Sequence, residues 1–483
     1  MSPLITLAML AFAGLIVFAW FVRLEQTGRE MNTVLAILGL VVIESVIYPN
    51  QGNIPAGLFH PVLGGGSGTS AGGLESGLSF RLPEILVPMA FIARLLARRQ
   101  PLRLRAASLW WLAFLAWLAA AAMIGVENGN SANLALFEAK AIAYIGFFVL
   151  VAGVPASEFA RGQTFRRFLY SSSVLAAVGI LLSQLRANIS IPIPGVPISG
   201  MGPMGADAAT IFLALGLIAA AIAICSEHQR ARLIITSLPL LFASVVAEQR
   251  AALLAMAVAL ALFAVAIAVG WKRIRSTPTE LALGASTFIA LLLVPVLVTA
   301  IVGKRQPVVP FAGTVNAAFD TQAKRLSAQD RLNQWATARR LISEHPIIGS
   351  GLGFTYQHYD PGYKVFVTTD LTHNIALDLL VRVGAIGLGL FLIALAITLF
   401  DGIRAWLKHP DALIAAVAVA CACALSGLVA KGMVESIFEK YRLATLLGFL
   451  VGAVASTTLS LAAPARMRFP EATDIAKESP LWN

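Results

Sequence analysis

Charged residues are scarce in this sequence, and apolar residues are abundant. Asp, Glu, Lys and Arg together make up 13% of the 483 residues, whereas 58% are hydrophobic. Apolar runs of about 18 to 22 residues recur along the chain, which is the length that a helix needs to cross a bilayer. This composition excludes an ordinary soluble domain and predicts a polytopic integral membrane protein.

Cysteine is almost absent. Cys225, Cys421 and Cys423 all lie in apolar runs, where free cysteine serves as a small core residue. This arrangement excludes a disulfide framework and a cysteine-based zinc site. The loops also lack a Walker sequence and a DxD cluster, so they give no sign of a nucleotide site.

Lys and Arg are missing from alternate connecting segments. None occurs in 49–80, 126–134 or 187–206. Basic residues concentrate instead in 98–105, 160–167, 227–232, 271–276, 401–411 and the tail. The positive-inside rule places these basic segments in the cytoplasm, with the N-terminus outside and the C-terminus cytoplasmic. The net charge of +11 then needs no nucleic-acid partner. The first span has no basic residue before it, and we expect it to be retained.

The predicted fold class is all-α, with about 12–13 transmembrane helices. The predicted spans are 4–22, 32–48, 83–97, 108–125, 135–153, 168–186, 207–226, 233–248, 250–269, 279–302, 374–400, 411–430 and 441–461. The span at 233–248 is the weakest of them. We divide the chain into a multi-span region (1–302), an extracytoplasmic loop subdomain (303–370), C-terminal spans (371–461) and a cytoplasmic tail (462–483).

The segment 303–370 is far longer than an ordinary connection and carries most of the charge expected outside. Within it, Ser327 and Asp330 resemble a capping box, and Pro346 marks the end of the same predicted helix. Arg331 and Trp335 are four residues apart and share a helix face. Arg331 is either a solvated arginine or an anion clamp. The run GSGLG at 349–353 lacks a preceding strand, so we interpret it as a turn after the helix.

Several ionisable residues lie in or beside the predicted spans. Two pairs four residues apart are explained by local ion pairing: Asp378 with Arg382, and Lys431 with Glu435. Arg250 lies at a junction between spans, where either Glu248 or a lipid-linked anion can pair with it.

His373 comes just before an apolar helix, whose dipole disfavours imidazolium. A neutral histidine there is either a general base or a hydrogen-bonding interfacial residue.

Three sequence features recur in a known order between about residues 245 and 395. An Arg is followed by Trp four residues later, HPxxGxGxG begins at His345, and the pair His373-Asn374 precedes a GxxG helix. With Arg250 at a span junction, this order resembles the O-antigen ligase and O-antigen polymerase superfamily. The resemblance implies a membrane glycosyltransferase that moves a glycan from undecaprenyl diphosphate to an acceptor outside the cytoplasmic membrane.

The resemblance also implies residue roles and partners. His373 would be the catalytic base, Arg250 and Arg331 would bind the donor diphosphate, and Asn374, Trp335 and Arg382 would support them. It implies no metal and no cofactor. The expected partners are the lipid-linked glycan, an acceptor glycan or lipid, membrane lipids, a flippase and a chain-length regulator, without nucleic acid.

Two departures and several alternatives stay open. Glu248 and Gln249 stand where Ser-rich residues are expected, and Arg382 stands where relatives often have Glu. Arg382 either adds a cation near the donor or pairs with Asp378. We favour a polymerase of surface or exopolysaccharide over a ligase that uses the lipid A core. A transporter and a membrane scaffold are alternatives from other classes, and a transporter would place its charges nearer the bilayer midplane.

Overall fold

A computed structural model describes residues 3–47, 82–97, 106–185, 204–226, 229–247, 249–274, 322–370, 372–438 and 440–462. The helices of these ranges are α1 (Pro3–Gln26), α2 (Glu30–Ile47), α3 (Leu82–Ala97), α4 (Ala106–Glu127), α5 (Ala132–Ala143), α6 (Phe148–Ala152), α7 (Ala156–Arg161), α8 (Gln163–Leu185), α9 (Ala206–Cys225), α10 (Arg230–Val246), α11 (Arg250–Val269), α12 (Gln322–Glu344), α13 (Ile375–Lys408), α14 (Ala412–Gly432) and α15 (Tyr441–Ala462). A 3₁₀ turn, Tyr144–Phe147, joins α5 to α6, and another, Trp271–Arg273, follows α11.

The helices confirm the predicted fold class. Every predicted span on described residues coincides with a helix, and 279–302 lies outside the described residues. Within the described ranges, seven helices are long and apolar enough to cross a membrane, with α5 and α6 counted as one. The weak span at 233–248 is a helix, α10, of 17 residues.

Burial separates central helices from peripheral ones. The apolar stretches of α9 and α15 are each 89% buried, whereas those of α4 and α11 are 28% and 22% buried. A helix that is apolar all round is stable in the middle of a bundle, and one with an exposed apolar surface suits contact with lipid. Helices α9, α14 and α15 therefore form the centre of the membrane domain.

Polar contacts join helix ends that the predicted topology assigns to one side. On the predicted cytoplasmic side, Arg94 of α3 pairs with Glu25 of α1 at 2.7 Å, and Arg161 pairs with Asp411 at 2.5 Å. On the other side, Lys431 of α14 pairs with Asp207 of α9 at 3.2 Å, and Arg442 pairs with Glu44 at 3.2 Å. These contacts agree with the predicted alternation of the connecting segments.

Helix α13 is interrupted at Gly384, which the sequence analysis did not predict. Gly384 has φ 65° and ψ −171°, a conformation that is essentially restricted to glycine. The turn after α12 docks into this break. Four hydrogen bonds join them: Ser350 N to Val381 O (2.7 Å), Gly351 N to Arg382 O (3.0 Å), Ala385 N to Pro346 O (3.0 Å) and Ile386 N to Ile347 O (3.2 Å). The turn thus satisfies backbone groups that the interrupted helix leaves free.

The described part of the predicted loop subdomain contains α12 and a hairpin. The predicted end of the helix is confirmed, because α12 stops at Glu344 before Pro346. The predicted capping box is wrong: α12 begins at Gln322, five residues before Ser327, because good helix formers precede that serine.

The hairpin consists of β1 (Tyr356–Asp360) and β2 (Val365–Thr369), which pair antiparallel with Tyr359 opposite Phe366. The hairpin was not predicted from the sequence, although VFVTT (365–369) is rich in β-branched and aromatic residues. It places the His358 side chain inward, against α12.

Candidate active site

Three segments meet at the end of the bundle that is predicted to lie outside the cytoplasm. They are α12, the start of α13, and the residues that link α14 to α15, which we call the 433–440 link. Arg331 Nη1 donates to the Val434 carbonyl at 2.8 Å, and Asn374 Nδ2 donates to the Met433 carbonyl at 3.0 Å. These bonds hold Arg331 and the residues around His373 against one short link.

Arg331 and Arg250 lie close enough for their charges to interact. Burial lowers the pKa of Arg331, the Arg250 guanidinium lowers it further, and Glu435 opposes both effects. Arg250 is the first residue of α11. Among the described residues no carboxylate lies within ion-pair distance of Arg331. A guanidinium group such as that of Arg331, with a second arginine close enough to act on its charge, provides a site for an anion.

His373 is mostly buried beside these cations, and it is neutral near pH 7. Burial lowers its pKa to about 4, helped by Arg331, Lys440 and His358, while Glu435 acts in the opposite direction. The helix dipole alone had predicted a neutral ring for this histidine. A neutral imidazole has one nitrogen with a free lone pair, which is what a general base requires.

Gln334 of α12 connects His373 to a second histidine. The Gln334 amide oxygen lies 2.8 Å from His373 Nδ1. The Gln334 amide nitrogen donates to Asp330 Oδ2 at 2.9 Å, and His358 Nε2 lies 2.7 Å from Asp330 Oδ1. Gln334 is only 4% exposed, so this network is a fixed part of the site.

Asn374 is the N-cap of α13. Its Oδ1 accepts hydrogen bonds from Ala376 N at 3.0 Å and Leu377 N at 3.1 Å. A side-chain oxygen in this position satisfies backbone donors that the first helical turn leaves free. Asn374 is therefore the residue that caps the helix, and His373 contacts Gln334 instead.

Trp335 lies one turn after Arg331, as predicted. Its indole Nε1 is buried and has no hydrogen-bond partner among the described residues. A buried indole N–H usually has an acceptor. Trp335 therefore offers an unused donor beside Arg331.

Arg382 belongs to a different cluster, behind the site. It pairs with Asp378 at 3.0 Å and with Glu138 of α5 at 2.5 Å, and it also donates to the Asp370 carbonyl. The sequence left open whether Arg382 pairs with Asp378 or serves the donor, and the contacts favour pairing. Its side chain is 6% exposed, so it stabilises the packing of α13.

The 433–440 link carries a charged network larger than the predicted local pair. Lys431 and Glu435 lie 3.6 Å apart, which confirms that pair, and Lys440 bridges Glu435 at 2.5 Å and Asp207 at 3.2 Å. Burial raises the pKa of Glu435, but Lys431 and Lys440 outweigh it and lower the pKa overall. Ion pairs with Lys431 at one end and through Lys440 at the other therefore hold the link in place.

Sequence reasoning missed Asp330, Gln334, His358 and Glu138. The spacing of Asp330 and Gln334 was a signal, because residues four apart on a helix share a face. Glu138 was a rare carboxylate in an apolar span, and such residues are costly unless paired. Within the described ranges, no group of three or more His, Cys, Asp or Glu side chains is close enough to form a metal site.

The segment that holds these residues matches one protein-family model. Residues 234–392 match the family model described as O-Antigen ligase, and Arg250, Arg331 and His373 all fall within that segment. No curated protein matches the chain. A chain of the solved structure reported as "Structural coordination of polymerization and crosslinking by a peptidoglycan synthase complex" matches with a TM-score of 0.34 and 17% identity, covering 73% of this chain and 98% of that one. The match over 234–392 confirms the resemblance seen in the sequence: this segment of the protein is similar to the O-antigen ligase and O-antigen polymerase superfamily, a group of glycosyltransferase-like enzymes.

Proposed function

We propose that the protein is a glycosyltransferase that moves a glycan from a polyprenyl diphosphate, of the undecaprenyl type, to a hydroxyl of an acceptor at the outer face of the cytoplasmic membrane. One observation carries the proposal. Arg331, under the electrostatic influence of Arg250, lies beside a neutral His373 at one end of the helical bundle. Cations that match a diphosphate and a base that matches a hydroxyl thus lie in one place.

The chemistry divides between these residues. His373 takes the proton of the acceptor hydroxyl as its oxygen bonds to the anomeric carbon. The bond between that carbon and the diphosphate oxygen breaks, and its electron pair leaves with the lipid diphosphate. Arg250 and Arg331 stabilise the charge that develops there, which is the role of cationic donors in such transition states. Direct attack inverts the anomeric centre and requires no metal to neutralise the leaving group.

The position of the charges favours an enzyme over the alternatives. Arg331 and His373 lie on or next to α12, outside the apolar spans, whereas a transporter has its substrate site near the bilayer midplane. A scaffold has no need for a buried neutral histidine beside two arginines. Within the family we favour a polymerase of surface or exopolysaccharide, working with a flippase and a chain-length regulator. The second candidate is a ligase that attaches the glycan to the lipid A core.

Glycan formation in membranes tests the proposal. Membranes with wild-type protein or His373→Ala, at matched protein levels, are compared for polymer and for lipid-linked donor. General-base catalysis contributes roughly 10²- to 10⁴-fold, so we expect product to disappear and donor to accumulate in the variant.

His345→Ala is the matched control, because this histidine is exposed at the end of α12. Unchanged product with His373→Ala would remove the base from the proposal. Product attached to lipid A core in single units would favour the ligase.

A further inference from the structure

Asp330 orients the amide of Gln334, whose nitrogen also lies 3.3 Å from His358 Nε2. A carboxylate oxygen accepts hydrogen bonds, and the group of Gln334 that lies 2.9 Å from Asp330 Oδ2 is the NH₂ that donates to it. The opposite end of the same amide, its carbonyl oxygen, therefore faces His373 Nδ1 at 2.8 Å. Asp330 thus determines which end of the Gln334 amide His373 meets.

A carbonyl oxygen facing Nδ1 selects one tautomer of a neutral imidazole. Nδ1 must carry the hydrogen to donate it to Gln334, and Nε2 then keeps its lone pair. With the proton on Nε2 instead, Nδ1 and the amide oxygen would be two acceptors 2.8 Å apart, which is repulsive. The bond also fixes the orientation of the ring.

We propose that Gln334, aligned by Asp330, is the positioning residue that holds His373 with its hydrogen on Nδ1 and makes Nε2 the atom that receives the acceptor's proton. The tautomer follows from the contacts of this chain alone, whereas the identity of the transferred proton rests on the proposed function. Gln334 contacts neither reacting atom in this mechanism, and it acts through His373.

The surroundings of His373 explain why a neutral amide suits this position. The charged groups around the ring are Arg331 on α12, and Glu435 and Lys440 on the 433–440 link, and the imidazole of His358 on β1 also lies near it. The neutral amide oxygen of Gln334 accepts the hydrogen bond from Nδ1 and so holds the ring. A carboxylate at this position would add a second negative charge beside Asp330. After proton transfer, the imidazolium donates from both nitrogens, so the bond to Gln334 persists through the reaction.

Nitrogen NMR of histidine-labelled protein tests the tautomer directly. The chain has six histidines, and the loss of one signal in His373→Gln assigns the residue. We expect Nδ1 to be protonated in wild type and in Gln334→Glu, since a carboxyl group also accepts from Nδ1. We expect Gln334→Met to shift His373 towards the Nε2-protonated form. We expect Asp330→Asn to give a mixture of the two His373 tautomers. An Asn amide can either donate to Gln334 or accept from it, so the Gln334 amide is no longer held in one orientation.

Glycan transfer by the same variants supplies the second readout. A wrong tautomer removes most of a general base's contribution, so Gln334→Met is expected to lower kcat by roughly 10²- to 10⁴-fold. Gln334→Glu keeps an acceptor for Nδ1 but adds a carboxyl group beside Asp330, so its loss of kcat should be smaller than that of Gln334→Met but not absent. Gln329→Met is the control, because Gln329 is exposed on the same helix and bonds only to Asn333 among the described residues.

Two results would overturn the inference. One is wild-type His373 protonated on Nε2, and the other is Gln334→Met with an unchanged tautomer and unchanged kcat. Failure of the proposed function has a different signature. In that case the tautomer responds to Gln334 and Asp330 as expected, but His373→Ala leaves glycan transfer unaffected.

Discussion

At the scale of single residues, Arg331 carries two separable effects. Its guanidinium is a planar fork that matches phosphate oxygens, and its charge lowers the pKa of the neighbouring His373. Lysine keeps the charge and loses the fork, whereas methionine loses both. Comparison of the two substitutions therefore separates the effect of Arg331 on anion binding from its effect on the pKa of His373.

For Arg331→Lys we expect a fall in kcat/KM of roughly 10- to 100-fold, which corresponds to the ~1.5–3 kcal/mol of a hydrogen bond to a charged group. The pH profile should keep its shape. In wild type, kcat/KM should be flat near neutral pH and fall only as the pH approaches the His373 pKa of about 4. In Arg331→Met that acid limb should move to higher pH, because removal of a neighbouring cation raises the pKa of a histidine.

The measurement is kcat/KM against pH with a lipid-linked donor. Arg340→Lys is the control, since Arg340 is exposed on the same helix. Wild-type kcat/KM in Arg331→Lys would exclude Arg331 from the diphosphate site. An unmoved acid limb in Arg331→Met would show that its charge does not act on the base.

The sequence predicts individual residues where the signal is their spacing along the chain or their place in the motifs of the superfamily. Arg331 and His373 stand in motifs of the family, but the cap at Asn374 was not predicted, although an Asn before an apolar run indicates one. Gln334 was beyond local rules, because its partner His373 is 39 positions further along the chain. The pairing of Arg382 with Asp378 follows from their spacing, whereas its pairing with Glu138 depends on where α5 lies relative to α13.

At the scale of elements, the break in α13 could not be predicted from its own sequence. VRVGAIG (381–387) is an apolar run that fits an uninterrupted transmembrane helix. The break depends on the turn at 346–353, which supplies the hydrogen bonds that the helix loses. The hairpin was missed for a related reason, since two strands of five residues give a weak periodic signal.

Gly384→Ala is expected to destabilise the protein. A Cβ at Gly384 would lie 2.2 Å from the Ile347 carbonyl oxygen, and the backbone has φ 65°. Strain of this kind costs about 1–3 kcal/mol, and the clash with backbone adds to it. The unfolding temperature of purified protein in detergent should therefore fall. Because the turn follows α12 directly, glycan transfer should fall with it.

Gly389→Ala is the matched control on the same helix. A Cβ there meets nothing within 4 Å, and alanine favours a helix over glycine by roughly 0.5–1 kcal/mol. Its unfolding temperature should equal or exceed that of wild type. Equal unfolding temperatures for Gly384→Ala and Gly389→Ala would contradict the role assigned to the docked turn.

At the scale of the whole molecule, a buried charge network connects the N-terminal half to the site. Lys431 of α14 is fully buried and contacts Asp207 and Thr210 of α9, each at 3.2 Å. Through Glu435 the same network reaches the 433–440 link, whose Val434 carbonyl accepts the hydrogen bond from Arg331. The central helices thus position the link on which Arg331 rests. The sequence predicted the local pair, but the contact with α9 spans more than 200 positions.

Lys431→Met should therefore lower both stability and transfer. Removing one partner of a buried ion pair costs about 3–5 kcal/mol, because the other charge stays buried without it. Arg161→Met, which opens an exposed pair with Asp411 on the opposite side, should cost less than about 1 kcal/mol. In a double-mutant cycle, Lys431→Met with Asp207→Asn should cost less than the sum of the two single changes. Additive losses of unfolding free energy would show that the two groups do not act as a pair. The pair would then not be what holds the 433–440 link in position.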